Sequence, residues 1–258
     1  MDLILVGGGD GTINEVINGA ALSHVPVGIV PAGTANVLAC ELGIGTRYER
    51  AIRLIPKSVP ERVALGLLRN VAGEERYFLL MAGVGLDAHI VYNLSPSLKA
   101  SFGKIAYWIG GFGQLTRPLG QFETSVNGRT ARCGFALASR VRNYGGDLEI
   151  ARGANLLEDV FETVLFEGRN PFRYLAYFLG LAAGVLPRMS GITIERARRL
   201  EFTTPEDTRI YVQIDGEYGG RLPATIEIVP DALSLLVPAD FRARTPARAV
   251  EALVPAPG

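Results

Sequence analysis

Residues 5–12 read LVGGGDGT, an apolar run that passes directly into three glycines, an aspartate, a fourth glycine and a threonine. The run DLILV (2–6), apolar after Asp2, is typical of a buried parallel strand. Residues 12–22 then carry apolar side chains at helical spacing. Backbone N–H groups in such a loop approach an anion closely, and the helix N-terminus adds a favourable partial charge. The stretch therefore predicts a strand–loop–helix unit whose loop can hold phosphate.

A second unit of the same kind follows the first. VPVGIV (25–30) predicts a buried strand, PAGTAN (31–36) a loop, and ANVLACELGI (35–44) a short helix, with a third helix over 47–55. Alternating strands and helices indicate an α/β sheet. Two loops at the carboxyl ends of adjacent parallel strands face one crevice, which favours a nucleotide site. Taken alone, Thr34 is more often a plain N-cap.

Two interpretations of Asp10 stay open. A carboxylate beside phosphate is repelled unless a cation bridges the two, and Mg²⁺ held by one carboxylate and phosphate oxygens is the usual arrangement. Alternatively, Asp10 caps the helix that follows it. The loop is not a Walker A motif, because no Gly-Lys-Ser/Thr is present, and Thr12 stands where G-x-G-x-x-G requires its third glycine.

Composition restricts the function classes. Lys and Arg number 26 and Asp and Glu number 26, so the net charge gives no reason to expect a nucleic-acid partner. Cys40 and Cys133 form neither a disulfide framework nor a zinc spacing, which favours a reducing cytoplasm. His24 and His89 are too few for a His-based metal site. We expect the clustered arginines to lie on solvated strand or helix edges; these are Arg140, Arg142, Arg196, Arg198 and Arg199.

Beyond the prolines of PKSVPER (56–62) the sequence changes to short strand-like segments separated by turn residues. Asn127-Gly128 predicts a hairpin turn. Helical patches interrupt at 104–115 and 172–186, and the second contains the most apolar window of the chain, YLAYFLGLAAGVL. That window is shorter than the ~20 residues of a spanning helix, so it predicts a buried or interfacial helix. The opening residues have no signal-peptide character.

Three motifs in order, GGDGTINEV (8–16), PAGTAN and DGE (215–217), resemble the diacylglycerol kinase catalytic family, which includes bacterial lipid kinases and sphingosine kinases. The first motif is shared with NAD kinases and phosphofructokinases, but the combination is narrower. Further matches, with Asp147 departing from a third glycine, extend the resemblance over essentially the whole chain; they are GVGLDA (83–88), NYGGDLEIARGAN (143–155) and IDGEYGG (214–220).

The resemblance implies an ATP-dependent lipid kinase that uses ATP and Mg²⁺ and transfers the γ-phosphoryl group to a hydroxyl of diacylglycerol or a similar lipid. Its expected partners are the lipid substrate and, peripherally, a membrane, with no nucleic acid; a homodimer is left open. The expected location is the cytoplasm, with membrane association left open. The implied fold is an α/β, NAD kinase/diacylglycerol kinase-like nucleotide-binding domain plus a larger, mainly antiparallel β domain for the lipid. The expected limits are 1–58, with 239–258 packing back on it, and 59–238.

The resemblance also assigns roles to residues. Asp10 organises catalytic Mg²⁺ through the phosphates, and Glu217 is the proton acceptor, although in some relatives these two roles are exchanged. In RIYVQIDGE the strand alternation turns Asp215 and Glu217 away from the core, and an ordinary hairpin is the alternative interpretation. The nucleotide-binding positions implied are Gly8, Gly9, Asp10, Gly11, Thr12, Ile13, Asn14 and Thr34.

A structural Mg²⁺ site is a further implication of the resemblance. Asn155 and Glu158 fall where side-chain ligands are expected, and Val160 where a carbonyl ligand is expected. Asn and Glu replace aspartates here, and Asp159 stands at a usual glycine, so a solvated loop is the alternative. The aromatic residues of 102–112, together with the 172–186 patch, are candidates for an acyl-chain groove, with core packing the stronger expectation for each; they are Phe102, Tyr107, Trp108, Ile109 and Phe112.

Relatives carry a strand–helix–strand segment, with an Asn-Pro…Gly loop, before the first motif, so Met1 resembles a late start. An internal start codon, a shortened chain, or a segment supplied from elsewhere are the three explanations. A chain that begins here is expected to have an exposed sheet edge and doubtful catalysis. The competing functions are a catalytically impaired nucleotide- or lipid-binding protein of the same fold, an NAD kinase, against which PAGTAN argues, and a fragment with no ligand.

Overall fold

The structure is a computed structural model that describes residues 2–86, 119–144, 148–205 and 209–245. The expected helix at 104–115, the aromatic residues of 102–112, His89 and Asp147 lie outside the described residues, and so does the tail from 246 onward.

The N-terminal unit has the strand–helix order that the sequence predicts. Strands β1 (Ile4–Gly8) and β2 (Val27–Pro31) are parallel, with Ile4 opposite Val27 and Gly8 opposite Pro31. Both strands therefore end at the same edge of the sheet, and their glycine loops leave side by side. The helices of this unit are α1 (Asp10–Ala20), α2 (Val37–Glu41) and α3 (Tyr48–Leu54).

The rest of the described chain is mainly antiparallel, as expected, and joins the same 13-stranded sheet. The main strand order is β1-β2-β13-β10-β6-β7-β5-β11-β12; off this path, β3 pairs with β13 and with β4, and β8 pairs with β7 and with β9. The strands are β3 (Ser58–Asn70), β4 (Glu75–Phe78), β5 (Met81–Gly85), β6 (Phe122–Val126), β7 (Arg129–Ser139), β8 (Phe161–Glu167), β9 (Ile192–Ala197), β10 (Arg199–Thr203), β11 (Tyr211–Ile214), β12 (Glu217–Arg221) and β13 (Ala224–Pro238). Two further helices are α4 (Pro171–Ala182) and α5 (Ala239–Arg244), and short 3₁₀ turns cover Ile55–Lys57 and Leu186–Arg188.

One long strand connects the two halves of the fold. TIEIV (225–229) and LSLLVP (233–238), which the sequence suggests as separate strands, are the two arms of β13. A bulge separates the arms, and Asp231 within it has a φ of 53°. The first arm pairs with β10, while the second pairs with β2 through Leu235 and Val27; both arms pair with β3. The two predicted parallel strands are thus not an isolated pair, and the predicted domain limits stay a prediction.

Two clusters of buried side chains hold the sheet and its helices together. The first packs Ile13 and Ile17 of α1 and Leu38 of α2 against β2 and β13. The second lies inside the antiparallel part, where Phe78 stacks on Phe161 at 5.7 Å between ring centroids. Each such side chain contributes about 1.5–3 kcal/mol through burial. No helix within the described ranges is long and apolar enough to cross a membrane.

The predicted hairpin at Asn127-Gly128 is confirmed. These residues connect β6 to β7 with φ of 48° and 74°, the positive pair that a two-residue type I′ turn requires. At one edge of the sheet, β1 pairs only with β2 among the described residues, and Leu5 on β1 is 53% exposed. The prediction that this edge invites further pairing is left for experiment.

Candidate functional site

The two glycine loops touch each other through their backbones. A Cβ built on Gly33 would lie 2.5 Å from Cα of Gly9, and one built on Gly9 would lie 3.2 Å from Cα of Gly33. The amide of Ala32 also donates to the carbonyl of Gly8 at 3.0 Å. Glycine is required at the contact because any side chain on Gly33 would separate the loops.

Asp10 ties the first loop to the second. Its Oδ2 accepts a hydrogen bond from the amide of Val37 at 3.0 Å, and its Oδ1 accepts one from the amide of Leu38 at 3.2 Å. These are the first amides of α2, so Asp10 caps α2. The alternative interpretation, in which Asp10 caps the helix that follows it, is wrong, since no side chain caps α1. The backbone cap of α2 is Asn36, which has a φ of 47°, and not Thr34. Asn36 closes its own loop by accepting from Gly33 N and donating to Gly33 O.

The N-terminus of α1 offers backbone donors to an anion. Helix α1 begins after Gly9, and no side chain caps it. The amides of Asp10, Gly11 and Thr12 precede the first intrahelical bond, which Ile13 donates to the carbonyl of Gly9 at 3.0 Å. Such amides, together with the helix dipole, form an anion site. The exposed Thr12 side chain packs over Gly8, and Thr34 is exposed on the second loop.

The DGE motif meets the glycine loop at Gly11. A Cβ built on Gly11 would lie 2.9 Å from Oε1 of Glu217, so the carboxylate rests against the first turn of α1. Glu217 is exposed, as the sequence predicts, and it begins β12 directly after a two-residue turn. The ordinary-hairpin interpretation is therefore correct for the backbone, and the same hairpin places Glu217 beside the anion site.

Asp215 does not turn outward, contrary to the expectation from strand alternation. Its φ is 49°, because it occupies the turn rather than the strand. Its Oδ1 accepts from the amides of Leu80 and Met81, and its Oδ2 from the amide of Leu79 and from Asn14 Nδ2, each at 2.9 Å. Burial raises the pKa of the Asp215 carboxyl, while these four hydrogen bonds act in the opposite direction.

Asn14 connects the anion site to the DGE turn. It is fully buried and donates to Asp215, and the same Nδ2 lies 3.3 Å from the carbonyl of Tyr77 on β4. Asn18, one turn later, exchanges two 2.9 Å hydrogen bonds with the backbone of Tyr77. Asn14 and the buried Ile13 thus direct their side chains into the fold, and nucleotide contact by either stays a prediction. Sequence reasoning missed this connection between α1 and the DGE turn. Its one signal in the sequence is the spacing of Asn14 and Asn18, which lie at positions i and i+4 of the predicted helix.

The segment expected to hold a structural metal contains an ion pair instead. One carboxylate oxygen of Glu158 accepts from Asn155 Nδ2 at 2.9 Å, and the other contacts the guanidinium of Arg196 on β9. The Glu158 side chain is 2% exposed and that of Arg196 is 20% exposed. Both carboxylate oxygens are therefore engaged, and a guanidinium lies where a cation is expected. Among the described residues no cluster of three or more His, Cys, Asp or Glu side chains could hold a metal ion.

A second arginine supports this segment from inside the protein. Arg140 is fully buried and donates to the carbonyls of Ala64 and Leu156, the latter at 2.7 Å, and to that of Glu158 at 3.3 Å. Burial lowers the pKa of Arg140 to about 10, which leaves it charged at neutral pH. The expectation that Arg140 and Arg196 are solvated is wrong, because Arg140 donates to buried carbonyls and Arg196 pairs with the buried Glu158 carboxylate. The residues present do not fit the structural Mg²⁺ site.

We predict that Mg²⁺ leaves the melting temperature of the nucleotide-free protein unchanged relative to EDTA, because Arg196 already supplies the positive charge. The Arg196→Ala substitution should lower stability by about 3 kcal/mol, since it leaves the buried Glu158 carboxylate without its partner. Arg132→Ala, at an exposed position of β7, is the matched control and should change stability little. Calorimetry checks both statements, and a Mg²⁺-dependent rise in melting temperature for the unmodified protein would contradict the first.

Comparison with known proteins gives a consistent result over most of the chain. Residues 1–68 match the family model of the diacylglycerol kinase catalytic domain, and residues 81–237 match that of the YegS C-terminal NAD kinase beta sandwich-like domain. A diacylglycerol kinase of Mycobacterium tuberculosis (strain ATCC 25618 / H37Rv) is 28% identical over 243 residues, which is 92% of this chain and 77% of the relative.

A diacylglycerol kinase of Bacillus subtilis (strain 168) is 29% identical over 229 residues, 86% of this chain and 73% of the relative. The crystal structure of a diacylglycerol kinase from Bacillus anthracis str. Sterne superposes with a TM-score of 0.72 and 21% identity, covering 93% of this chain and 78% of that one, and it supports the fold alone. The two family models together cover the glycine loops, the DGE turn and most of the antiparallel strands. The chain belongs to the diacylglycerol kinase catalytic domain family, which is a family of lipid kinases, a class of phosphotransferase.

Proposed function

We propose that the protein transfers the γ-phosphoryl group of ATP to a hydroxyl of diacylglycerol or a similar lipid. The observation that carries this proposal is the contact of Glu217 Oε1 with Gly11 at the N-terminus of α1. Phosphoryl transfer requires an anion site for the donor and a base close to the acceptor hydroxyl. In support of the proposal, the candidates for these two parts come from two distant motifs and lie within a few ångströms of each other.

The donor phosphates are assigned to the two glycine loops. The amides of Asp10, Gly11 and Thr12 precede the first intrahelical bond of α1 and are proposed to donate to phosphate oxygens. Gly9 and Gly33 lie in contact, so their loops offer backbone without side-chain obstruction. Asp10 and Glu217 place negative charge beside this anion site, which fits ATP bound as its Mg²⁺ complex rather than alone. When bound, Mg²⁺ neutralises the charge that develops on the transferring phosphoryl group.

Glu217 is the better candidate for the base. Both oxygens of Asp10 already accept backbone hydrogen bonds from α2, whereas Glu217 is exposed at the mouth of the site. In the proposed step the lipid hydroxyl oxygen forms a bond to the γ-phosphorus while the bond to the β–γ bridging oxygen breaks. The hydroxyl proton passes to Glu217, and ADP leaves with the electron pair of the broken bond. Asp10 acts as an organiser of both loops in this assignment.

We predict that Gly33→Ala weakens ATP binding by at least about tenfold, because its Cβ would meet Gly9 Cα at 2.5 Å and force the loops apart. Gly7→Ala is the matched control, since a Cβ there meets nothing within 4 Å. Isothermal titration with Mg·ATP measures both affinities. Equal affinity in the two variants would show that the contact of the loops does not form the nucleotide site.

The acceptor is tested with the purified chain, Mg²⁺ and γ-labelled ATP. Diacylglycerol, phosphatidylglycerol, a sphingoid base, an undecaprenol-like alcohol and NAD are offered separately, and products are resolved by chromatography. Labelled phosphatidic acid supports the proposal, and a label on another lipid changes the acceptor. ATP binding with no labelled lipid would favour the catalytically impaired binding protein, and a label on NAD would favour an NAD kinase.

With ATP as donor, the proposal also locates the protein in the cytoplasm, in peripheral contact with a membrane.

A further inference from the structure

Helix α4 (Pro171–Ala182) is apolar on its outer side as well as on the side that packs on the sheet. Phe172 is 80% exposed, Leu175 44% and Leu179 60%. These residues lie at positions i, i+3 and i+7, so they share one face of the helix, and Val185, 43% exposed, follows just beyond its end. A surface helix of a globular protein normally carries polar residues on such a face. The exposed apolar face is therefore a candidate surface for contact with an apolar partner.

The orientation of α4 is fixed by its buried side. The Tyr174 hydroxyl donates to the carbonyl of Phe166 at 2.9 Å, and the Tyr177 hydroxyl donates to that of Ser190 at 3.1 Å. Phe166 and the two tyrosine rings form one aromatic group, with centroids between 5.5 and 6.4 Å apart. The helix cannot rotate to bury its outer face without breaking these contacts. The outward position of the apolar side chains is thus a consequence of specific packing.

The segment around α4 is positively charged. Between Gly168 and Gly191 the sequence contains Arg169, Arg173 and Arg188 and no Asp or Glu. Arg152, which lies beside Gly184 near the helix end, is paired with Glu149 at 3.9 Å, so that pair adds no net charge. All three arginines of the segment are exposed. Arg173, however, donates to the carbonyl of Ser190 at 2.9 Å and lies over the Tyr177 ring, so the charge argument rests on Arg169 and Arg188.

We propose that this surface docks the protein on a lipid bilayer that contains anionic phospholipids. The α4 face, defined as Phe172, Leu175, Leu179 and Val185, inserts at the level of the headgroups, and Arg169 and Arg188 contact lipid phosphates. An apolar stripe with a basic border is the pattern of an interfacial helix, and arginine stems lie along apolar surface while their charged ends reach polar groups. Docking through this surface would bring a lipid kinase to its acceptor, so the inference rests on the proposed function.

The test is co-sedimentation of the full chain with vesicles of phosphatidylcholine and phosphatidylglycerol, and with vesicles of phosphatidylcholine alone. We expect binding to the mixed vesicles that weakens as NaCl is raised. The double substitution Phe172→Ser, Leu179→Ser should lower the apparent affinity by at least about tenfold, since each residue contributes through burial of apolar area. Ile52→Ser, at a 56% exposed position of α3, is the matched control and should bind as the unmodified protein does.

The charge component is tested separately with Arg188→Glu, which should weaken binding to mixed vesicles only. Absence of vesicle binding by the unmodified protein, or equal binding by the double variant with an unchanged melting temperature, would overturn the proposal. Light scattering that shows a dimer, dissociated by the double substitution, would assign the α4 face to a second copy of the chain and would equally overturn it.

Kinase assays distinguish this inference from the proposed function. The double variant should retain phosphate transfer to a soluble short-chain diacylglycerol and lose transfer to diacylglycerol embedded in mixed vesicles. Equal loss on both acceptors would place α4 in the catalytic unit and contradict the docking role. If vesicle binding depends on the α4 face but neither the unmodified protein nor the double variant phosphorylates either acceptor, the result would support docking and overturn the lipid kinase proposal.

Discussion

The Glu217→Gln substitution is expected to lower the rate of phosphate transfer to lipid by a factor of about 10²–10⁴, the range for loss of a general base. The amide is similar in size and shape to the carboxylate, so it can rest against Gly11 without a change in the hairpin. Because Glu217 is assigned to the proton and not to the nucleotide, the affinity for Mg·ATP should change little. The loss should therefore appear in kcat and not in the ATP affinity.

The measurement is steady-state transfer of labelled phosphate to diacylglycerol, with ATP affinity determined separately by titration. Glu123→Gln, at an exposed position of β6, removes one carboxylate elsewhere and should leave the rate unchanged. A rate for Glu217→Gln within a few-fold of the unmodified protein would refute the assignment of Glu217 as base. In that event the same substitution of a carboxylate by an amide is made at Asp10, the alternative base that some relatives suggest.

The Asp215→Ala substitution should have the largest effect on stability, a loss of about 3–5 kcal/mol. It removes the acceptor of four hydrogen bonds and leaves the amides of Leu79, Leu80 and Met81 without a partner. It also frees Asn14, so α1 loses one of its attachments to the antiparallel strands. Because Glu217 lies two residues away on the same turn, transfer activity should fall together with stability.

Denaturant unfolding and calorimetry measure this loss, and for a chain of this size a melting temperature lower by roughly 10 °C is expected. Asp240→Ala, at an exposed position in the first turn of α5, is the control. Asp215→Asn keeps one acceptor oxygen and should show a smaller loss than alanine. A stability loss below about 1 kcal/mol for Asp215→Ala would mean that water replaces the carboxylate and that the turn is held by other contacts.

Much of the architecture is readable from local sequence. The strand–glycine–helix order at 4–20 and the positive-φ pair Asn127-Gly128 each depend on a few adjacent residues. Such features are determined by backbone sterics and by the period of apolar residues, which the sequence displays directly. The exposure of Glu217 is predicted correctly but for a different reason, because a two-residue turn interrupts the strand alternation on which the prediction depends.

The arrangement of the site is not local. One of the two interpretations that the sequence leaves open for Asp10 is a cap on its own helix, but its carboxylate accepts from the amides of Val37 and Leu38, 27 and 28 residues away in sequence. Asp215 was expected to face solvent, but a turn with a φ of 49° directs it to the backbone of Leu79–Met81. In both cases the hydrogen-bond donors are backbone amides. Every residue except proline has such an amide, so the sequence does not show which ones a carboxylate will reach.

By itself, then, the sequence determined the order of strands and helices, the glycine loops and the identity of the acidic residues, because these depend on neighbours along the chain. Only the tertiary structure decided that Glu217 lies against Gly11 and that Arg196 pairs with Glu158 where a metal was expected. The physical reason is that burial and the pairing of charges depend on which segments meet in space. The contact of Gly9 with Gly33, where a side chain would separate two loops, is of the same kind.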